Sequence, residues 1–115
     1  MANVVALVAD LMFGSRIREA AAGAPVRTAR KIEGLLEACR SEPPTIVLVD
    51  LDDDRIQPLD AVRALRADAA TSALPVIGFV SHVNGARAQE ALAAGCTRVL
   101  ARSAFVVELP ALVRS

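Results

Sequence analysis

The sequence has few aromatic residues and no excess of charge of either sign. Tryptophan and tyrosine are absent and only three phenylalanines occur, which argues against a surface that stacks nucleic-acid bases. Thirteen basic and thirteen acidic residues balance, so the net charge does not attract the chain to nucleic acid or to an anionic membrane. We therefore expect neither nucleic acid nor a membrane among its partners.

Cysteines and long apolar runs are also scarce. The two cysteines, Cys39 and Cys96, form no CxxC motif, and we interpret them as small buried hydrophobic residues in a reducing compartment. The sequence shows neither a basic leader with an apolar core nor an apolar run of membrane-spanning length. We therefore expect a cytoplasmic protein.

Apolar strand-like runs alternate with amphipathic helical patterns along the chain. The 115 residues are 54% apolar, enough for one core, and we take residues 1–115 as a single domain. The segments between the strand-like runs are long enough to hold a crossover helix each. This predicts an α/β fold, with a parallel sheet and helices on both faces. The five strand-like segments are residues 3–9, 26–29, 45–50, 74–81 and 97–101.

The predicted helix boundaries rest on capping residues. Ser15 is predicted to cap the first helix and Asn84 the fourth, because short polar side chains accept hydrogen bonds from free amides at a helix start. Pro58 is predicted in the first turn of the third helix, and Gly95 at the end of the fourth. The last helix, residues 104–114, contains Pro110 and is apolar on nearly all sides.

The stretch VLVDLDDD, residues 47–54, places four aspartates in five positions. Carboxylates at this density need a counter-charge, a metal or open water. Asp50 ends the third strand and Asp10 follows the first, and the carboxyl ends of parallel strands meet at one edge of a sheet. A phosphorylation site, a metal site and a solvated loop are all compatible with this pattern.

Two longer segments resemble the receiver domain of two-component response regulators, and the resemblance covers nearly the whole chain. They are IVLVDLDDDRIQPLDAVRALRADAATSALPVIGFVS, residues 46–81, and ALAAGCTRVLARS, residues 91–103. The resemblance implies a flavodoxin-like fold with strand order 2-1-3-4-5. It also implies a bacterial signalling protein of a phosphorelay, phosphorylated by a histidine kinase, with Mg²⁺ at the site and a response across the fourth helix, fifth strand and fifth helix.

Matched position by position, the resemblance makes Asp50 the phosphoacceptor. The metal contacts fall on Asp10, on Asp50 and on the backbone carbonyl of Asp52. The second acid that the family carries after its first strand falls on Ala9, so one carboxylate is missing. We therefore expect Mg²⁺ to bind weakly, if it binds.

The switch positions of the family are replaced here. The hydroxyl residue that senses the phosphoryl group falls on Val80, the aromatic switch on Val99, and the lysine that pairs with the phosphate on Arg102. A valine offers no hydrogen bond to phosphate, and an arginine fork is not equivalent to a lysine. These replacements predict a degenerate site at which phosphorylation is optional or lost. A permanent Asp50–Arg102 ion pair would make a metal unnecessary.

The remaining acids and the last helix complete the interpretation. Residues 52–54 are predicted to form a solvated turn. Val106 and Val107 are predicted interface residues, because a helix that is apolar all round cannot bury every side chain against one sheet. The expected assembly is a homodimer, or a complex with another protein, through the fourth helix, fifth strand and fifth helix.

The sequence thus predicts a single-domain signalling module, not an enzyme, that acts through a sensor histidine kinase or another signalling protein. Two alternatives stay open. One is a purely structural interaction domain. The other is a phosphohydrolase with Asp50 as nucleophile and Asp52 as acid, which is disfavoured because no lysine follows Asp54.

Overall fold

The structure, a computed structural model, describes residues 3–114, which form a five-stranded sheet and five α-helices. A short 3₁₀ turn, Asp54–Ile56, precedes the third helix. The strands are β1 Val4–Leu7, β2 Val26–Ala29, β3 Ile46–Asp50, β4 Val76–Val80 and β5 Arg98–Ala101. The helices are α1 Leu11–Ala21, α2 Ile32–Ser41, α3 Pro58–Ala67, α4 Ala86–Ala94 and α5 Arg102–Arg114.

The sheet has the order β2-β1-β3-β4-β5, and every pair of neighbouring strands is parallel. This confirms the predicted α/β class and strand order. The register places Asp50, the last residue of β3, opposite Phe79 of β4. The predicted domain limits, residues 1 and 115, lie outside the described residues.

The core lies on both faces of the sheet, since β1, β3 and β4 are covered by helices on either side. One buried cluster lies beneath α2, α3 and α4, and the other beneath α1 and α5. The second contains Phe79 and Phe105, stacked with ring centroids 4.4 Å apart. Phe13 stacks on Phe79 at 4.7 Å, so all three aromatic residues of the sequence form one stack.

The predicted cap of α1 is wrong, and the correction concerns a site residue. The helix begins at Leu11, and Asp10 caps it: Asp10 Oδ1 accepts hydrogen bonds from the amides of Met12 at 2.9 Å and Phe13 at 3.2 Å. Asp10 leaves the sheet with an extended backbone, so its short side chain reaches these free amides. Ser15 lies exposed within the helix.

Other helix ends follow the sequence more closely. The residue before α4 is Gly85, without a side-chain cap, so the prediction for Asn84 is also wrong. Gly95 ends α4 with a φ of 126°, a conformation that favours glycine, and Pro58 opens α3, both as predicted.

Helix α5 begins at Arg102, directly after β5 and two residues before the predicted start. It continues through Pro110 and buries Phe105, Leu109 and Val113 against the sheet and α1. Within residues 3–114, no helix combines the length and apolar character needed to cross a membrane.

The capping role of Asp10 leads to a first prediction. Asp10→Ala should lower the free energy of unfolding by about 1 kcal/mol, because two helix amides lose their acceptor. Urea unfolding measures the difference. Ser15→Ala serves as the control and should change stability little, since Ser15 lies in mid-helix and caps nothing. Equal losses in the two variants would contradict the observed helix start.

Candidate functional site

A cleft of about 310 Å³ opens at the carboxyl end of the sheet. It brings together the four residues that sequence reasoning placed at a polar site, two of them 50 residues apart in sequence. Val80 and Val99 pack instead with the cluster beneath α2, α3 and α4. The lining residues of the cleft are Asp10, Asp50, Asp52, Asp53, Arg55 and Arg102.

Asp50 is buried, with 2% of its surface exposed, and both of its carboxylate oxygens have partners. Oδ1 accepts a hydrogen bond from the amide of Asp52 at 3.0 Å. Oδ2 accepts one from Arg102 Nη2 at 3.2 Å, which is also an ion pair. The predicted phosphoacceptor thus lies at the cleft floor with neither oxygen free.

The side chain of Asp52 connects β3 to β4 and α5. Its Oδ2 accepts hydrogen bonds from the Ser81 hydroxyl at 2.8 Å and from Arg102 Nε at 3.2 Å. The amide of Ser81 donates to the same carboxylate at 3.0 Å. The resemblance to receiver domains assigned Asp52 only a backbone role, so the contacts of its side chain with Ser81 and Arg102 were missed.

The other two acids of the VLVDLDDD stretch also have arginine partners. Asp53 pairs with Arg55 at 2.9 Å, and Asp54 pairs with Arg87 at 2.8 Å. The interpretation of residues 52–54 as a solvated turn was therefore incomplete. All four aspartates are balanced by counter-charge, which was one of the three solutions open at the sequence level.

Arg102 is the cation of the cleft that contacts both central carboxylates. Its guanidinium donates to Asp50 through Nη2 and to Asp52 through Nε. Its Cζ lies 4.7 Å from the ring centroid of Phe13 and 5.1 Å from that of Phe79. The guanidinium is therefore held by two carboxylates and by the faces of two aromatic rings, a favourable cation–π arrangement.

Burial raises the pKa of the Asp50 carboxyl above its ordinary value. The positive charge of Arg102 and the hydrogen bond from the Asp52 amide lower it, but they do not offset the loss of solvation. At Asp53, by contrast, the hydrogen bond from Arg55 lowers the pKa. The surroundings of Asp50 thus disfavour its ionised form, whereas those of Asp53 favour it.

The cleft does not fit a divalent metal as it stands. Within residues 3–114 no three acidic, histidine or cysteine side chains form a group that could hold one. Asp10 Oδ1 caps α1, and the oxygens of Asp50 and Asp52 accept hydrogen bonds from protein donors. Position 9, where the family carries its second acid, is a half-buried alanine. Weak Mg²⁺ binding remains a sequence-based prediction.

A hydroxyl group does lie near the cleft, although the family position for it is Val80. Ser81, the next residue, directs its hydroxyl to Asp52 rather than to Asp50. Val80 is buried, with 2% exposed, and lies in the opposite cluster. Among the described contacts, Asp50 thus has no hydroxyl partner.

The two predicted interface residues lie on different sides of α5. Val107 faces solvent with 80% of its surface exposed. Val106 is half-buried and lines a groove between α1 and α5, together with Arg16 and Leu109. The interface itself stays a prediction, and the geometry makes Val107 its more accessible residue.

Several contact residues gave no signal in the sequence. Phe13 and Phe79 were counted only as scarce aromatics, and the role of Ser81 depends on the end of β4. Arg87 donates to the carbonyl of Leu51 at 2.6 Å as well as to Asp54. None of these contacts follows a sequence period, because each joins elements that are distant along the chain.

Comparison with known proteins identifies the fold. No family model matches the sequence, and no curated protein matches it significantly. Many solved structures match it, and response regulators are among them, so the chain has the receiver fold of that class.

Three of these structures illustrate the likeness. A response regulator in red light signaling of R. palustris is 24% identical, with a TM-score of 0.77 over 99% of this chain and 90% of that one. The chemotaxis response regulator CheY4 of Vibrio cholerae is 19% identical, with a TM-score of 0.84 over 99% and 97%. A response regulator from Hahella chejuensis is 15% identical, with a TM-score of 0.86 over 99% and 93%. At these identities the likeness establishes the fold alone.

The raised pKa of Asp50 leads to a second prediction. Between the ordinary pKa and the raised one, the folded protein holds more protons than the unfolded chain, so stability contributed by this group falls as pH rises through that window. The stability of Asp50→Asn relative to the wild type should therefore be greater at neutral pH than in mild acid. The size of this change in relative stability gives the difference between the folded and unfolded pKa of Asp50, at about 1.4 kcal/mol per pKa unit.

Denaturant unfolding at a series of pH values tests this, with Asp60→Asn on the exposed face of α3 as a control for the lost negative charge. The opposite trend, in which the wild type gains on Asp50→Asn as pH rises, would mean that Arg102 outweighs burial and that the folded pKa is lowered.

Proposed function

We propose that this chain is a receiver-like signalling module that acts through contact with a partner protein, without phosphorylation of Asp50. The observation that carries the proposal is the state of Asp50. It is 2% exposed, and its two oxygens accept hydrogen bonds from Arg102 and from the amide of Asp52. A phosphoryl donor would have to reach a buried carboxylate whose Oδ2 is held by the Arg102 ion pair and whose Oδ1 is held by the Asp52 amide.

The replaced switch positions support the same conclusion. In receiver domains, the response to phosphorylation couples a hydroxyl side chain to an aromatic one. The matching positions here are Val80 and Val99. Neither valine lines the acid cleft. A modification shifts a conformational equilibrium only through contacts that differ between the two states, and this pair offers no polar contact to change.

Exposed apolar side chains support the role of a protein partner. Leu11 and Met12 are 72% and 78% exposed and directly follow Asp10 at the cleft. Val107 on α5 and Leu92 on α4 are 80% and 51% exposed. Covering exposed apolar side chains of this size with another protein removes them from water and stabilises the complex. The partner is a sensor histidine kinase or another signalling protein.

The geometry favours this function over a phosphohydrolase. In that alternative Asp52 would act as a general acid, which requires a proton on its carboxyl group. Here the Asp52 carboxylate accepts hydrogen bonds from Ser81 and from Arg102, so its oxygens are engaged by donors of the protein rather than directed at a leaving group.

A third prediction concerns phosphorylation. Incubation with acetyl phosphate and Mg²⁺, followed by intact-mass measurement, should show no added phosphoryl group, because Asp50 is buried and paired. Asp50→Asn is the matched control. A single phosphoryl adduct on the wild type that disappears in Asp50→Asn would contradict the proposal and restore Asp50 as a working phosphoacceptor.

A fourth prediction concerns assembly through α4, β5 and α5. If the chain forms a homodimer without phosphorylation, light scattering across a concentration series should show dimers for the wild type and monomers for Val107→Glu. Met12→Glu is the control, since Met12 is equally exposed but lies on α1. Dimers that persist in Val107→Glu, or a wild type that is monomeric and captures no partner, would contradict this surface.

A further inference from the structure

The acid cleft already contains a fixed cation. The guanidinium of Arg102 lies between the carboxylates of Asp50 and Asp52 and donates to each at 3.2 Å. A divalent ion that bridged the same two carboxylates would have to approach this guanidinium closely. Two cations in one small cleft repel each other, so the guanidinium and the ion compete for the same oxygens.

The position of the Arg102 side chain is supported from several directions. Its backbone is fixed where β5 passes directly into α5, and 30% of its side chain is exposed. The rings of Phe13 and Phe79 lie within about 5 Å of the guanidinium carbon, at 4.7 and 5.1 Å. An incoming ion would therefore have to break two ion pairs and two ring contacts in order to displace it.

The other arginine of the cleft is differently placed. Arg55 pairs with Asp53, and its side chain is 80% exposed. It donates to that carboxylate through two of its nitrogens, both at 2.9 Å. Arg55 thus balances one peripheral acid, whereas Arg102 balances the central pair.

We propose that the Arg102 guanidinium is the resident cation of this cleft in place of a divalent metal, and that its removal exposes a divalent-cation site formed by Asp50 and Asp52 with Asp10 at the rim. Without Arg102, the carboxylates of Asp50 and Asp52 would lose their counter-charge, while Asp53 keeps Arg55. Carboxylate oxygens with room for water are the ligands that Mg²⁺ and Mn²⁺ take up. The inference rests on the proposed function in treating the cleft as the receiver-type site.

Calorimetric titration with Mg²⁺, together with Mn²⁺-induced relaxation of amide signals, tests the proposal without a phosphodonor. The wild type should show no saturable binding at millimolar Mg²⁺. Arg102→Gln should bind at least tenfold more tightly, with Mn²⁺ broadening centred on residues 50–52. Arg55→Gln is the matched control, because it removes the same charge from the same cleft, and it should gain far less.

Two further variants locate the binding site and provide an alternative if Arg102→Gln does not fold. Asp50→Asn in the Arg102→Gln background should abolish the gained binding. Arg102→Lys should show an intermediate gain, because one ammonium cannot bridge both carboxylates as the arginine fork does, and it decides the matter if Arg102→Gln does not fold.

Saturable Mg²⁺ binding by the wild type equal to that of Arg102→Gln, or an equal gain in Arg55→Gln, would overturn the proposal. An equal gain in Arg55→Gln would mean that Mg²⁺ affinity depends only on the net charge of the cleft. Phosphorylation of the wild type at Asp50 would overturn the proposed function, and it is read by mass rather than by cation binding, so the two failures are distinguishable.

Discussion

The contact of Arg102 with Asp50 and Asp52 is the interaction on which the carboxyl end of the sheet depends. It joins the end of β3 to the start of α5, and through Asp52 and Ser81 it reaches the end of β4. Because Arg102 is the first residue of α5, the same contact ties the start of this helix to β3. The aromatic stack lies directly beneath the Arg102 guanidinium. Phe79 therefore contacts the charged cleft on one side and belongs to the core beneath α1 and α5 on the other.

This arrangement shows how arginine side chains can balance crowded aspartates in a receiver fold. Burial of Asp50 disfavours its ionised form, and Arg102 recovers part of that cost while leaving the pKa raised. Such a pair is held in place more by its neighbours than by its own net free energy, since desolvation offsets much of the attraction. The cleft is consequently set by packing around Arg102, and a signalling role that depends on protein contact is consistent with a cleft of this kind.

Much of the fold could be predicted from the sequence, because strand and helix periods and the wide spacing between strands are local properties. The strand order came from the resemblance to receiver domains, and Asp10 and Asp50 were placed at one edge by the parallel sheet. The caps of α1 and α4 could not be separated from nearby alternatives, since Asp10 and Ser15 are both good capping residues. The contacts of Arg102 with Phe13 and with the Asp52 side chain depend on rotamers that meet across distant segments, and no sequence period reports them.

A double-mutant cycle measures the coupling between Arg102 and Asp50 directly. Unfolding free energies of the wild type, Arg102→Gln, Asp50→Asn and the double variant should give a favourable coupling of roughly 0.5–3 kcal/mol at neutral pH, the range found for residues in one contact network. The parallel cycle on the exposed pair Arg63 and Asp60 should give a smaller coupling. A coupling between Arg102 and Asp50 near zero, or no larger than that of the exposed pair, would contradict the claim that this contact organises the cleft.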